Sequence, residues 1–458
     1  MNYIFINLSA KLLSRNRDGR LDMRRNAMSA LMEWKSRSSR KPLLVYGARQ
    51  VGKSYLIKEF SETAFDDYVF LDLERQAAAR AAFEGDLDPH QVISNIEQIA
   101  NHHIDSHRTL IFLDEIQAAP RALASLKYFC EELPDSYVIA AGSLLGVAVN
   151  RIGFSAPVGK VETLTLLPMT FDEWLDATGH EQMVKGIAEA YAQKVAYPLH
   201  EQALDLYRAY VLTGGMPEAV ASYAERGNFA DVSRIQRDIL DLYVADMAKY
   251  AEPVETARIR EAWLSVPVQL AKENHKFQYK VVRSSGRASQ YAVALDWLET
   301  AGLVNRCVRV SSGQVPLKMQ EDRSSFKIYL ADTGLLSAMM EVPPAVMFDE
   351  AARKLLDAGA LTENYVAQNL VAGGFVPRYW TSGRTAEVDF VIEDGGPRAV
   401  PVEVKSSDNV RSRSLSVYRE KYEPAHVLRL STRNFGLSEG IESVPLYAAF
   451  CLKKGAIG

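Results

Sequence analysis

Residues 42–60 read PLLVYGARQVGKSYLIKEF, in which a short apolar strand is followed by a glycine-containing turn and a helix-like run. Within the turn, Gly47 stands five positions before the triplet Gly52-Lys53-Ser54. Glycines let the backbone curl so that its N–H groups face phosphate oxygens, and the positive end of the following helix adds attraction. A strand before this turn and a helix after it are the context in which the pattern is specific.

The turn therefore predicts a nucleotide site. We expect Lys53 to reach the β- and γ-phosphates of ATP, and the hydroxyl of Ser54 to ligate Mg²⁺. The residues of the predicted cradle are Gly47, Ala48, Arg49, Gln50, Val51, Gly52, Lys53 and Ser54.

A second apolar run, RTLIFLDEIQ at 108–117, ends in two adjacent acids. At the carboxyl end of a parallel strand, Asp114 is expected to hold the water shell of Mg²⁺, and Glu115 to polarise the attacking water. The alternative is that both acids only cap the following helix. The run SYVIAAGS at 136–143 places Ser143 after another strand, where it is either a sensor of the γ-phosphate or part of a turn. Arg151 is either an arginine finger for a neighbouring subunit or a surface arginine.

The first third of the chain is typical of a doubly wound parallel α/β sheet. The apolar runs predict strands at 43–46, 68–71, 110–113, 137–141 and 161–166, with helical patterns between them. We assign residues 23–175 to this P-loop domain, 176–335 to a helical region with a winged-helix-like module at about 254–320, and 345–458 to a C-terminal α/β domain.

Composition excludes several classes of protein. The 458 residues are 48% hydrophobic, and no apolar run approaches the roughly 20 residues that span a bilayer. Cysteines 130, 307 and 451 lie far apart, so a disulfide framework is not supported and a reducing cytoplasm is predicted. The histidines at 102, 103 and 107 lack ligand partners at metal-binding spacing and predict a solvated helix end.

The middle region combines helices with a local excess of positive charge. Residues 213–217 read TGGMP and predict a helix end and a turn. Beyond them, a helix with one apolar face is followed by a hairpin with strands at 303–310 and 315–319, an arrangement typical of winged helices. Residues 272–309 carry seven Lys or Arg against three acids, which predicts contact with the DNA backbone. The alternatives are a protein contact and a merely solvated face.

Charged residues lie at distinctive positions in the C-terminal third. Glu363 falls in the first turn of a predicted helix, Asp389 within a strand, and Glu403 and Lys405 two positions apart on the next strand. Buried charge in strands is unfavourable unless it is paired or binds metal. We therefore predict that Asp389 and Glu403 ligate Mg²⁺, that Glu363 completes its shell, and that Lys405 positions or activates water. A fold whose chemistry has been lost and an ion-paired scaffold remain as alternatives.

Several strings together resemble a large family of bacterial and archaeal ATPases, which join an AAA-type P-loop domain to a C-terminal domain of unknown function with a restriction-endonuclease-like fold. The strings are KPLLVYGARQVGKS, IFLDEIQ, AAGSLLG, PVGKVETLTLLPMTFDEWL, YVLTGGMPEAV, FKIYLADTGLL, TENYVAQNL, VDFVIE and PVEVKSS. The resemblance implies ATP binding at Gly47 to Ser54, metal and water handling by Asp114 and Glu115, and a nuclease-like cluster at Asp389 and Glu403. The first 22 residues are the one mismatch, so translation starts at either Met1 or Met23.

Three functions follow as hypotheses. In the first, ATP hydrolysis is coupled to DNA binding or processing through the nuclease-like domain. In the second, nucleotide state switches the binding of DNA or protein without cleavage. In the third, ATP is a structural ligand of a scaffold. Possible partners are DNA, contacted through residues 272–309 and the C-terminal domain, a second protein, or further copies of the chain.

Overall fold

The computed structural model describes residues 23–143, 159–272, 276–349, 351–352, 358–383, 386–406 and 413–457. These residues divide into two compact units. Arg24–Leu167 and Thr300–Gly302 form the first, which we call the P-loop unit. Pro168–Glu299 and Leu303–Gly458 belong to the second, the C-terminal unit.

A five-stranded parallel sheet forms the centre of the P-loop unit, in the order β2-β3-β4-β1-β5. The strands are β1 Leu43–Tyr46, β2 Asp67–Asp72, β3 Thr109–Asp114, β4 Tyr137–Ala141 and β5 Glu162–Thr165. All five predicted strands are confirmed, each to within one residue at either end. Because β4 lies between β1 and β3, the segments that follow these three strands meet at one edge of the sheet.

The helices of this unit are α1 Ala27–Ser36, α2 Lys53–Ala64, α3 Ala77–Ala81, α4 Pro89–Ala100 and α5 Pro120–Glu132. Local sequence explains how α4 begins, because the Asp88 side chain accepts the N–H of His90 and Pro89 occupies the first turn. All six residues of β3 are buried, as expected for a continuous apolar strand covered on both faces. The parallel α/β fold predicted for the first third is therefore confirmed.

The C-terminal unit begins with helices. They are α6 Phe171–Ala177, α7 Glu181–Gln193, α8 His200–Thr213, α9 Pro217–Arg226, α10 Phe229–Tyr250, α11 Pro253–Leu270, α12 Tyr279–Val282 and α13 Ala288–Thr300. Thr170 and Glu173 form a reciprocal capping box at the start of α6. The break predicted at residues 213–217 is confirmed, since α8 ends at Thr213 and α9 begins at Pro217.

An eight-stranded mixed sheet completes this unit, in the order β12-β13-β11-β10-β9-β8-β6-β7. Its strands are β6 Val304–Val310, β7 Glu321–Leu330, β8 Arg378–Thr381, β9 Glu387–Ile392, β10 Val400–Val404, β11 Leu428–Ser431, β12 Gly436–Ser438 and β13 Ile441–Pro445. The helices that accompany them in the described ranges are α14 Thr333–Met339, α15 Pro344–Phe348, α16 Gly359–Ala372 and α17 Arg413–Tyr422.

The predicted hairpin is only half correct. Its first strand is β6, but the strand predicted at 315–319 is wrong, because a short 3-10 segment occupies Leu317–Gln320 and β7 starts at Glu321. Pro316 offers no N–H to a ladder, which disfavours a strand there. The other side of β6 pairs in parallel with β8, so the hairpin belongs to the same sheet as the C-terminal strands.

Across the described ranges, no helix combines the length and the apolar character that crossing a membrane requires.

Candidate nucleotide site and C-terminal carboxylate cluster

The loop after β1 has the backbone that its glycines predict. Gly47 has φ +144° and Gly52 has φ +91°, both in the region that favours glycine. A Cβ atom on Gly47 would collide with the carbonyl oxygen of Leu166. Gly52 is the N-cap of α2, so the first N–H groups of this helix are directed into the loop.

Lys53 lies within the curl of this loop. Its ammonium donates to the carbonyl oxygens of Gly47 at 3.0 Å and Ala48 at 2.9 Å. Burial lowers the pKa of Lys53 to about 8, although the carboxylates of Glu115 and Asp114 oppose the shift. The ammonium therefore lies close to both acids after β3.

Ser54 and Asp114 form the part of the site that fits a magnesium ion. Asp114 is buried, and its carboxylate accepts a hydrogen bond from the Ser54 hydroxyl. Burial raises the pKa of Asp114, and the nearby charges of Glu115 and Asp72 raise it further. A hydroxyl and a carboxylate beside further acids are the oxygen donors that Mg²⁺ prefers, so this donor set fits the ion.

Glu115 is held in a defined orientation beside them. Its φ of +50° is uncommon for a residue with a side chain, and such strain is concentrated at functional sites. Oxygen Oε2 of Glu115 accepts from the Ser143 hydroxyl at 3.1 Å and from the Gln117 amide. Among the described residues, no hydrogen bond reaches the other oxygen, Oε1. The structure thus brings Ser143 against the predicted base.

Sequence reasoning missed two residues of this site. Gln117 donates to Glu115, while its own oxygen Oε1 is buried and has no partner in the part of the chain that the structure describes. Arg25 is buried and donates to the carbonyl oxygens of Val51 at 2.9 Å and Leu167 at 2.7 Å. Because Val51 belongs to the phosphate loop, this bond stabilises the loop conformation. Gln117 could have been found from the sequence, because it stands two residues after Glu115. No sequence signal pointed to Arg25.

Two other predicted features are Arg151 and the histidine cluster. Arg151 lies outside the described residues. His102 and His103 bind different acids, Asp67 at 2.8 Å and Glu97 at 2.7 Å.

The four C-terminal residues singled out by the sequence lie in one region of the second unit. Asp389 on β9 is half-buried, and its Oδ2 accepts the Val404 N–H at 2.7 Å. Burial raises the pKa of Asp389 well above its usual range, and the charges of Glu363 on α16 and Glu403 on β10 act in the same direction. Lys405 follows β10, and its ammonium lies 2.7 Å from Oε1 of Glu403.

A further lysine, which sequence reasoning missed, enters this cluster from β7. The ammonium of Lys327 lies 2.7 Å from Oε1 of Glu387 and 3.5 Å from Oε2 of Glu363. Burial lowers the pKa of Lys327, but Glu363, Glu387 and Asp389 raise it more, so the group is protonated. Its sequence signal was a single charge inside the apolar string FKIYL. Nowhere among the described residues do three His, Cys, Asp or Glu side chains form a group that could hold a metal ion.

Several of the cations predicted to face DNA are paired with acids. Arg306 contacts Asp296 at 2.7 Å and Glu299 at 3.0 Å. Arg309 pairs with Asp322, and Arg283 lies 3.9 Å from Glu261. Part of the positive charge of residues 272–309 is therefore neutralised within the unit.

Three separate ranges of the chain match known protein families. Residues 39–175 match a family described as an AAA domain. Residues 204–345 and 358–449 match two domains of unknown function, DUF8612 and DUF4143. No curated protein matches the chain. The AAA match and the loop geometry both support an AAA-type P-loop fold in residues 39–175.

Three solved structures to which the chain is similar are distant from it in sequence. A Walker-type ATPase of Pyrococcus abyssi is 15% identical, with 73% of this chain and 99% of that chain covered and a TM-score of 0.43. The ORC1 protein of Aeropyrum pernix, solved in complex with DNA, is 14% identical over 76% and 97% of the two chains, with a TM-score of 0.30. The ORC2 protein of the same organism, solved with ADPNP and ADP, is 12% identical over 72% and 96%, with a TM-score of 0.35.

Proposed function

We propose that the protein binds ATP with Mg²⁺ in the cytoplasm and hydrolyses it. One observation carries the proposal: Ser54, Asp114, Glu115 and Ser143 meet beside the buried ammonium of Lys53, at the edge of the sheet where β1, β3 and β4 end.

Each side chain has a role in this proposal. The backbone of residues 47–54 and the Lys53 ammonium hold the β- and γ-phosphates. Ser54 and Asp114 hold Mg²⁺, which when bound neutralises charge on the phosphate oxygens. Ser143, as the sensor of the γ-phosphate, is well placed to report nucleotide state to Glu115 because their side chains are hydrogen-bonded.

Glu115 is the proposed base for the attacking water. Because Ser143 and Gln117 both bind its Oε2, the carboxylate is fixed and Oε1 remains to accept the proton. Gln117 is a positioning residue in this scheme, since it acts through Glu115.

The test compares ATP hydrolysis by the wild type and by Glu115→Gln, with Glu132→Gln as a matched control on the exposed end of α5. We expect Glu115→Gln to lose about 100-fold or more in kcat while still binding ATP, because a positioned base contributes about that factor. Glu132→Gln should behave as the wild type. Hydrolysis by Glu115→Gln at the wild-type rate would exclude the proposed base, and a wild type that binds no ATP would exclude the function.

We further propose that nucleotide state is coupled to DNA, through residues 272–309 and the C-terminal unit. The basic segment supports this coupling, although its internal ion pairs reduce the charge available to phosphates. The same ATPase assay with single-stranded and with double-stranded DNA tests it. Stimulation of the rate by DNA would support coupling, and an unchanged rate together with nucleotide-independent DNA binding would refute it.

A second candidate is a nucleotide-controlled switch for DNA, a protein partner or another copy of the chain, with a nuclease-like fold that does not cleave. The ion pairs that Lys327 and Lys405 make inside the carboxylate cluster favour it, because they satisfy acids that a nuclease site needs for its ion. Plasmid nicking with Mg²⁺ or Mn²⁺ separates the candidates. Nicking by the wild type that disappears in Asp389→Ala would establish nuclease activity. A wild type that does not nick the plasmid would support the switch.

A further inference from the structure

We infer that the ammonium of Lys327 takes the place of a divalent metal ion in the C-terminal carboxylate cluster. The cluster consists of Glu363, Glu387, Asp389 and Glu403, and the lysine supplies the positive charge that stabilises it. The inference concerns the C-terminal unit alone and does not rest on ATP hydrolysis in the other unit.

The position of Lys327 is the first argument. Its side chain is 1% exposed and makes its two ion pairs with residues of two other elements, Glu387 on β9 and Glu363 on α16. The hydroxyl of Tyr329, also on β7, donates to the same oxygen of Glu363 at 2.9 Å. An ammonium buried this deeply is stable only when carboxylates surround it, so the three elements are bound together at this point.

The oxygens that remain are the second argument. Mg²⁺ requires near-octahedral oxygen ligands at about 2.0–2.1 Å. Here Oδ2 of Asp389 accepts from Val404, Oε1 of Glu403 from Lys405, and Oε2 of Glu363 from Tyr329. Each of the three carboxylates therefore has one oxygen that already accepts from a donor of the chain, and Oε2 of Glu403 is a buried oxygen without a partner among the described residues.

Charge repulsion is the third argument. A divalent ion bound by Glu363 would lie within a few ångströms of the Lys327 ammonium, whose side chain is 1% exposed. Like charges at that distance repel strongly in a medium of low dielectric constant. The protonated lysine therefore disfavours a divalent ion at this position, and the lysine is covalently part of the chain.

Two measurements on the full-length protein test this inference. Both use an Asp114→Ala background, which removes the metal ligand of the nucleotide site. The first is Mn²⁺ binding without nucleotide, and the second is the melting temperature in EDTA and in Mn²⁺. We expect the Asp114→Ala parent and the parent that also carries Asp389→Asn to bind the same amount of Mn²⁺. We also expect the melting temperature of the parent to be the same in EDTA and in Mn²⁺.

Substitution of the lysine gives the complementary result. Lys327→Met should lower the melting temperature by about 5–10 °C, because it leaves buried carboxylates without their counter-charge. Lys194→Met is the matched control, since Lys194 pairs with Glu442 at 3.1 Å in the same unit but is 64% exposed, and it should melt as the parent does. Adding Glu363→Gln to Lys327→Met should recover part of the loss.

Two outcomes would overturn the inference. One is Mn²⁺ binding by the parent that is lost in Asp389→Asn, which would make the cluster a metal site. The other is a Lys327→Met variant as stable as the Lys194→Met control. If Lys327→Met does not fold, the binding measurement on the parent and on Asp389→Asn still decides the question.

Discussion

Replacing Gln117 by leucine tests whether the side chain that orients the proposed base contributes to hydrolysis. Leucine has a similar size but removes the amide that donates to Oε2 of Glu115. A hydrogen bond to an ionised group contributes about 1.5–3 kcal/mol, which corresponds to about 10–150-fold in rate if it is needed in the transition state. Because Ser143 still donates to the same oxygen at 3.1 Å, we expect the lower part of this range, about 10–30-fold in kcat.

The measurement is steady-state ATP hydrolysis, with kcat and KM determined separately. KM should change by less than about twofold, since Gln117 lies outside the phosphate loop, and loss of a group that acts in the transition state lowers kcat. Stability gives an independent reading. The variant also removes a buried oxygen without a partner, so its melting temperature should stay level or rise slightly.

The matched control is Gln91→Leu, because Gln91 is exposed on α4 and its amide donates to Asn95 at 3.0 Å. It should hydrolyse ATP as the wild type does. A Gln117→Leu variant with wild-type kcat would refute the positioning role. If kcat, the melting temperature and ATP affinity all fall in Gln117→Leu, the role of Gln117 is structural instead.

Three further predictions concern the phosphate loop. The protonated Lys53 that attracts phosphate is lost as pH rises through its pKa of about 8, so kcat/KM should fall about tenfold per pH unit above that value, and this slope should be absent in Lys53→Arg. Arg25→Ala removes the donor from the carbonyls of Val51 and Leu167 and should lower both the melting temperature and ATP affinity, measured against Arg24→Ala at the exposed neighbouring position. Gly47→Ala should abolish binding of a fluorescent ATP analogue, whereas Gly85→Ala, where a Cβ meets open space, should not.

The parallel sheet could be predicted because β1 to β4 each contain an uninterrupted apolar run, whereas β5 reads ETLT and is only partly buried. For the same reason, the sequence placed Asp114, Glu115 and Ser143 at or just after the ends of neighbouring strands, and Ser54 in the first turn of the helix that follows β1. It could not show that Ser143 and Gln117 share one oxygen of Glu115, because such a contact depends on side-chain direction across two strands.

The C-terminal unit was less predictable, since its important pairs are distant in sequence. Lys327 precedes Glu363 by 36 positions and Glu387 by 60, and no local pattern joins them. The sequence placed Glu363, Asp389 and Glu403 on a helix and two strands, as the structure has them. It missed β12 and β13, and the three residues of β12 are all exposed, so this strand has no apolar period.

The pairing of β6 with β8 limits how the chain can be dissected. A fragment that starts after residue 335 would expose β8 as an unprotected edge and would discard the lysine that compensates Glu363 and Glu387. Open strand edges recruit strands of other molecules, so such a fragment would tend to aggregate. The shortest piece that preserves the sheet has to begin before Val304, well upstream of where the C-terminal family match starts.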